Sequence, residues 1–324
     1  MRALKLLTGL AVAATLGWCG YWFVGARALD RVLAEGLARV PQVSAAGHSV
    51  AGFPNRFDVT LDQPRIAQGG VEWSAPFLQV FALSYRLNHL LAVFAPDQVL
   101  RLSGTELLLH TDDLRASVVM EPGRDLPLRE AVLVGTGIEV RAEGTLTRVE
   151  RLRLASRTQS ARVQQVALVV EGLRPDAETL TRLDPAAHWP RHFSLLRLDA
   201  EVETDRPLDR HALSGPSPRL ERLSMTGFRL GWEGTDIALS GRLTPDAQGV
   251  LSGEVVLRVE GWPALLARAR ASGLLDPGAP GLLGLLLDSL PSEADGDRIE
   301  VPLAVVAGDL RLGPLLLGTL PPLR

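Results

Sequence analysis

The sequence predicts a mainly β protein: a curved antiparallel meander, open as a groove or folded into a sandwich, with a few short helices and one N-terminal transmembrane helix. Three observations predict it. From residue 49 onward apolar residues recur at every second position, the period of a strand with one dry and one wet face. Gly- and Pro-containing turn signals separate those stretches at short intervals. The only long uncharged run with helical character stands at the very start of the chain.

That run, Leu6 to Val24, follows Arg2 and Lys5. Its 19 residues, at about 1.5 Å each, just cross a bilayer core of about 30 Å. Positive charge ahead of the run places Met1 in the cytoplasm and the body beyond the membrane. Trp18, Tyr21 and Trp22 stand near its distal end, where an aromatic belt belongs. We read it as an uncleaved signal anchor of a bacterial inner membrane, single pass, with a periplasmic body. The alternative is a signal peptide cleaved after Ala26, which leaves a soluble periplasmic protein. Cys19, the only cysteine, lacks the small preceding residue that lipoprotein acylation needs, because Trp18 occupies that position.

Residues 27–40 place Leu29, Val32, Leu33 and Leu37 on one helical face, a stalk continuing from the membrane and stopped by Pro41. Period-two sets follow. They are Phe57, Val59 and Leu61; Ile138, Val140 and Ala142; Val166, Leu168 and Val170; and Leu196, Leu198, Ala200 and Val202. Phe228, Leu230 and Trp232, then Ile237 and Leu239, then Val255, Leu257 and Val259 complete the series. Turns fall at Gly69-Gly70, Pro122-Gly123, Gly144, Pro216-Ser217-Pro218 and Pro245 to Gly249. Helices are expected at Pro263–Ala271, at Leu282–Leu290 and near Glu178–Leu183. The domain reading is therefore 1–25 anchor, 26–48 stalk and linker, and 49–324 β-rich body. An Asp-, Pro- and His-rich seam at 175–193 divides that body into halves 49–175 and 193–324.

Composition narrows function mainly by exclusion. With 34 basic against 37 acidic residues the chain has no electrostatic footprint for nucleic acid. Beyond residue 25 there is neither a cysteine nor a lysine. The body therefore has no disulfide, no Schiff-base lysine and no P-loop lysine. No Gly-x-Ser-x-Gly or His-Glu-x-x-His pattern occurs. Gly135-Thr136-Gly137 leads into a strand rather than a helix, so it fails as a dinucleotide loop. Asp184, His188 and His192 are spaced as helical metal ligands, but Pro190 breaks that helix. Asp295, Asp297 and Glu300 form an acidic turn short of a calcium ligand set. We read the protein as non-enzymatic, with no cofactor and no metal. The candidate apolar groove or lid comprises Val255, Leu257 and Val259 with Leu282, Leu283, Leu285, Leu286 and Leu287. Its partners are the inner membrane and phospholipid or acyl chains.

Several local patterns carry a family resemblance. They are Gly52-Phe53-Pro54-Asn55-Arg56-Phe57 running to Leu61, Trp73-Ser74-Ala75-Pro76, and a Leu-rich run with Asn88-His89. Further on come Gly241–Leu251, then Gly253–Gly261 with Trp262 and Leu265-Leu266, and the tail Gly308–Pro314 to Pro322. In order and together they resemble an uncharacterised bacterial envelope family, domain of unknown function 2125. More distantly, the Gly-Phe-Pro-x-Arg-Phe turn is similar to that of AsmA-like envelope proteins. That resemblance implies a curved sheet with an apolar inner face and a role in outer-membrane assembly or lipid traffic. The reading that follows is an inner-membrane-anchored module that binds or transfers a lipid-like ligand in envelope maintenance. The alternative is a structural or interaction protein of the envelope with a closed core and no ligand.

Overall fold

In the computed structural model the described residues are 1–40, 42–102, 104–176, 180–181, 190–214, 218–232, 235–271 and 298–322. A single helix, α1 (Arg2–Arg39), contains both the apolar run and the stalk without interruption. Its 38 residues extend about 57 Å. The remainder is dominated by one antiparallel sheet of 20 strands. In chain order these are β1 (Val43–Ser44), β2 (Gly47–Ala51), β3 (Arg56–Asp62), β4 (Arg65–Gln68), β5 (Val71–Ser74), β6 (Phe77–Leu83), β7 (Arg86–Phe94), β8 (Asp97–Leu102), β9 (Thr105–His110) and β10 (Asp113–Met120). Next come the long strands β11 (Leu128–Ala142), β12 (Thr145–Ser160), β13 (Val163–Leu173), β14 (Phe193–Thr204), β15 (Leu220–Trp232), β16 (Thr235–Pro245) and β17 (Leu251–Glu260). The last three are β18 (Arg298–Val306), β19 (Asp309–Leu312) and β20 (Leu315–Thr319). Among the described residues, two short helices with defined ends lie between strands, α2 (His211–Ser214) and α3 (Trp262–Ala271).

The main ladder runs β2-β3-β6-β7-β10-β11-β12 and then strand by strand to β20. A smaller leaf, β1-β4-β5-β8-β9, rejoins it at the end of β11 through Glu139 to Arg141. The two are separated by a crease, which the chain crosses between β3 and β4, between β5 and β6 and between β7 and β8. Pro64, Pro76 and Pro96 occupy it, where a residue without an N–H ends the ladder at no cost. The bend is closed by backbone bonds from Gln63 N–H to Pro76 O (2.9 Å), Ala75 N–H to Pro64 O (3.2 Å) and Thr111 N–H to Pro96 O (2.9 Å). On β11 the crease falls at Gly137, whose φ is +57° and whose missing Cβ leaves room for the Asp112 carboxylate. The glycine pair that fails as a dinucleotide loop thus serves as a corner.

Corners and bulges also reset strand parity. In β11 the apolar positions change from Ala131 and Leu133 to Ile138 and Val140 across Gly137. In β15 an irregularity between Met225 and Phe228 lets Leu223 and Met225 share a face with Phe228 and Leu230. The segment 175–193 does not interrupt the sheet, since β13 and β14 pair from Val163↔Glu203 to Leu173↔Phe193. The expected helix at 263–271 is α3; the one at 282–290 lies outside the described residues, as does most of that at 178–183.

Gly137→Ala should cost about 1–2 kcal/mol from the left-handed backbone alone, plus the clash with Asp112. Adding Asp112→Ala should return only the clash, so the double variant is expected to unfold between the single variant and the wild type in a denaturant titration. Equal midpoints for wild type and Gly137→Ala would contradict this account of the crease.

Candidate functional site

Register carries one row of side chains across thirteen strands. Val50, Val59, Val80, Ala92, Ala116, Leu133, Leu154, Leu168, Leu198, Phe228, Leu239, Leu257 and Val301 are successive cross-strand partners, and every one is apolar. At about 4.8 Å per strand the row is nearly 60 Å long. A parallel row from Phe57 through Ala82, Leu90, Val118, Ala131, Ser156, Val166, Ala200, Met225, Gly241 and Val255 to Leu303 has one hydroxyl, at Ser156.

Coverage of this face is uneven. At its first end α1 lies along β2 and β1, and Trp22, Ala26 and Phe57 form a buried cluster with Leu29 and Val50 against it. Trp22 stacks on Phe57 at 5.8 Å, and at Gly25 a Cβ would stand 2.9 Å from the Phe57 ring, so the helix seats closely only with glycine there. At the other end Val259, Ile299, Val301, Leu303 and Leu312 are buried, with Trp262 and Leu265 of α3 and Leu310 and Leu315 packed on them. A second cluster of Leu243, Leu251, Val255 and Val305 adjoins it. Between these caps the row is half-buried from Val80 to Leu257, and it opens furthest at Leu154, which is 39% exposed. Among the described residues nothing fully buries the middle of this strip, whereas a soluble sheet ordinarily buries the face it makes apolar.

The reverse face carries charge. Arg115, Arg153, Arg197, Arg229 and Arg258 line it at intervals. Most are held by acids, as in Arg197 with Asp199 (2.6 Å), Arg229 with Asp236 (3.4 Å) and Arg258 with Glu300 (2.7 Å). A cleft of about 870 Å³ lies here between Arg229, Asp236, Arg258, Glu260, Arg298 and Glu300. Burial pushes the Asp236 carboxyl up, against the pull of Arg229. On the small leaf, hydrogen bonding from Arg65, assisted by Arg101, holds Glu72 below the usual carboxylate range. Arg148 and Arg141 do the same for Glu139. A cleft of about 700 Å³ includes Arg65, Arg101, His110 and Arg141. Its charges compensate one another, which leaves no uncompensated pole to attract an ionic ligand.

The sequence-derived site residues fall as follows. Val255, Leu257 and Val259 all face the apolar side in β17, where Val255 and Val259 are buried in the capped end and Leu257 is half-buried. Leu282, Leu283, Leu285, Leu286 and Leu287 lie outside the described residues, as do Asp184, His188, Asp295 and Asp297. His192 is exposed. Among the described residues no group of three or more His, Cys, Asp or Glu is arranged to hold a metal. The middle of the strip, from Val80 to Leu133, is not singled out by sequence periodicity. Strands β6, β7 and β10 carry apolar residues on both faces (Phe81, Leu91 and Val119 on the reverse), which hides the alternation. The cross-strand row itself is the signal that finds it.

An open antiparallel sheet with one continuous apolar face, joined to an apolar helix long enough to cross a membrane, defines the class of protein. The chain belongs to the family described as uncharacterized protein conserved in bacteria (DUF2125), whose model matches residues 22–321. Searches of curated proteins and of solved structures found no match. The matched span begins at Trp22, the residue that stacks on Phe57.

His110 Nδ1–H donates to Asp97 Oδ1 at 2.7 Å, and that hydrogen bond raises its pKa above the ordinary histidine value. Its stabilising contribution is therefore complete below pH about 6.5 and disappears as pH rises through the folded value. An NMR titration should place the His110 midpoint above that of a free histidine, and Asp97→Asn should bring it back down. An unchanged midpoint in the variant would remove Asp97 as the cause.

Proposed function

We propose that this chain is a single-pass protein of the bacterial inner membrane whose periplasmic sheet holds a lipid-like ligand on its apolar face, as a non-enzymatic binding or transfer module in envelope maintenance. The observation that carries this reading is the coverage profile: the row is closed at Val59 and Val301 and open at Leu154 between them. A packed sandwich would bury the middle first. An acyl chain on such a strip gains roughly 0.8 kcal/mol per methylene removed from water. Ten methylenes thus correspond to roughly 8 kcal/mol, the scale of micromolar binding before association costs. Relative to a bilayer the same move is nearly neutral, because lipid tails are about as apolar as leucine. Near-neutral exchange is what a transfer surface requires.

The junction of helix and sheet supports an uncleaved anchor. Cleavage after Ala26 would remove Trp22, which is 6% exposed, and strip the cover from Phe57. Intact-mass measurement of the membrane fraction should therefore return a chain that retains residues 1–26. A mass beginning at Arg27 would establish the soluble alternative.

The capped end, with its two buried clusters, favours the second reading, a structural or interaction protein without ligand. Leu154→Glu and Leu168→Glu separate the two. With an open strip, both variants should keep the thermal midpoint within a few degrees while phospholipid carried through detergent extraction, read by native mass spectrometry, falls at least about tenfold. Lipid-free wild-type protein together with unfolded variants would establish the closed core.

A further inference from the structure

Three hydrogen bonds set the height of the sheet along α1. Trp18 Nε1 donates to Pro54 O (3.0 Å), Tyr21 Oη donates to Ser84 O (2.7 Å) and Trp22 Nε1 donates to Arg56 O (2.6 Å). Phe53 seals the joint, stacked on Phe23 at 5.5 Å and edge-on to Trp22 at 5.4 Å. The turn at residues 52–55 and the turn between β6 and β7 thus lie beside residues 18–23 of the helix. Those residues are still inside the uncharged run, which continues to Val24; the first charge after it is Arg27. Trp18 lies about 9 Å along the helix from the end of the run, six residues on. A run of 19 residues has no length to spare in crossing the bilayer core. Lifting Trp18 and the turns beside it clear of the lipid would therefore draw the run out of the hydrocarbon.

The side chains on these turns suit the level at which they are held. Outside its contacts with Phe23 and Trp22, Phe53 remains 49% exposed, and Tyr85 is 67% and Leu87 55% exposed. Arg56 and Arg86 accompany them, and Asp58 is held by Arg56 at 2.8 Å. Aromatic rings with long cationic side chains are the composition that settles at the lipid headgroup boundary.

We propose that this rim of the sheet is embedded in the headgroup region of the same bilayer that holds α1, with Phe53, Tyr85 and Leu87 in contact with glycerophospholipid. This rests on reading α1 as a membrane anchor. It deepens the functional reading as well, because Phe57, Ala82 and Leu90 begin the apolar face next to this rim. A lipid tail leaving the leaflet there meets apolar side chains without first crossing water.

The test uses the full chain in a Cys19→Ala background, reconstituted into phosphatidylcholine–phosphatidylglycerol vesicles. Tyr85→Cys and Leu87→Cys report the rim, Val12→Cys the span and Leu316→Cys an exposed position on β20, each carrying a bimane label. With phosphatidylcholine brominated near the headgroup, labels at 85 and 87 should lose at least half as much fluorescence as the label at 12, while the label at 316 stays bright. Bright labels at 85 and 87 beside a quenched label at 12 would overturn the proposal and leave the anchor standing. Absence of quenching at 12 would overturn both.

Discussion

Every property of this molecule depends on register. A strand turns its face over with each residue, so a slip of one anywhere in a thirteen-strand row would send an apolar column into water and a charged one onto the opposite side. In β15 the irregularity between Met225 and Phe228 keeps the second row, which passes through Met225, on the same face as the row through Phe228. That departure from regular pairing is what keeps the two rows on one face. Turns at most strand ends are short, which keeps each strand beside its neighbour in sequence and limits the alternatives.

An open sheet of this size has two edges and two faces to protect. One edge is covered by α1 along β2 and β1, and the reverse face is wetted by arginines paired with acids across the strands. Individually such exposed pairs contribute little to stability. Their use here lies in solubility, and in the distinction they draw between the two sides of the sheet. The apolar face is protected at its ends by different means, aromatic rings from the helix at the first and two aliphatic clusters at the last. Among the described residues burial is therefore deepest at the two ends and shallower along the strip between them.

Much of this was legible in residue pattern. Phe57, Val59 and Leu61, or Val166, Leu168 and Val170, announce strands whose inward face is apolar, and the helix through Pro263–Ala271 follows from its own spacing. Other elements were not legible. Phe77–Leu83 is apolar on both faces and reads as a run without direction; only its pairing with β3 and β7 assigns Val80 to one side and Phe81 to the other. The Gly-Phe-Pro-Asn-Arg-Phe turn is visible as a motif, yet its purpose depends on Trp18, Tyr21 and Trp22, more than thirty residues earlier. The parity change at Gly137 is equally invisible, because the neighbour that demands a glycine is Asp112 on another strand.

By itself the sequence determined the local quantities: strand period, turn positions, an uncharged run long enough for a bilayer and a body without cysteine. Each depends on residues within a few positions of one another, and the chain states them directly. Which apolar faces are covered, which stay open and how high the sheet sits along the helix were decided by tertiary structure alone. Alternation says that a strand has a dry side, but the same alternation serves a closed core and an open groove. Coverage is a property of distant segments meeting in space, and no local pattern encodes it.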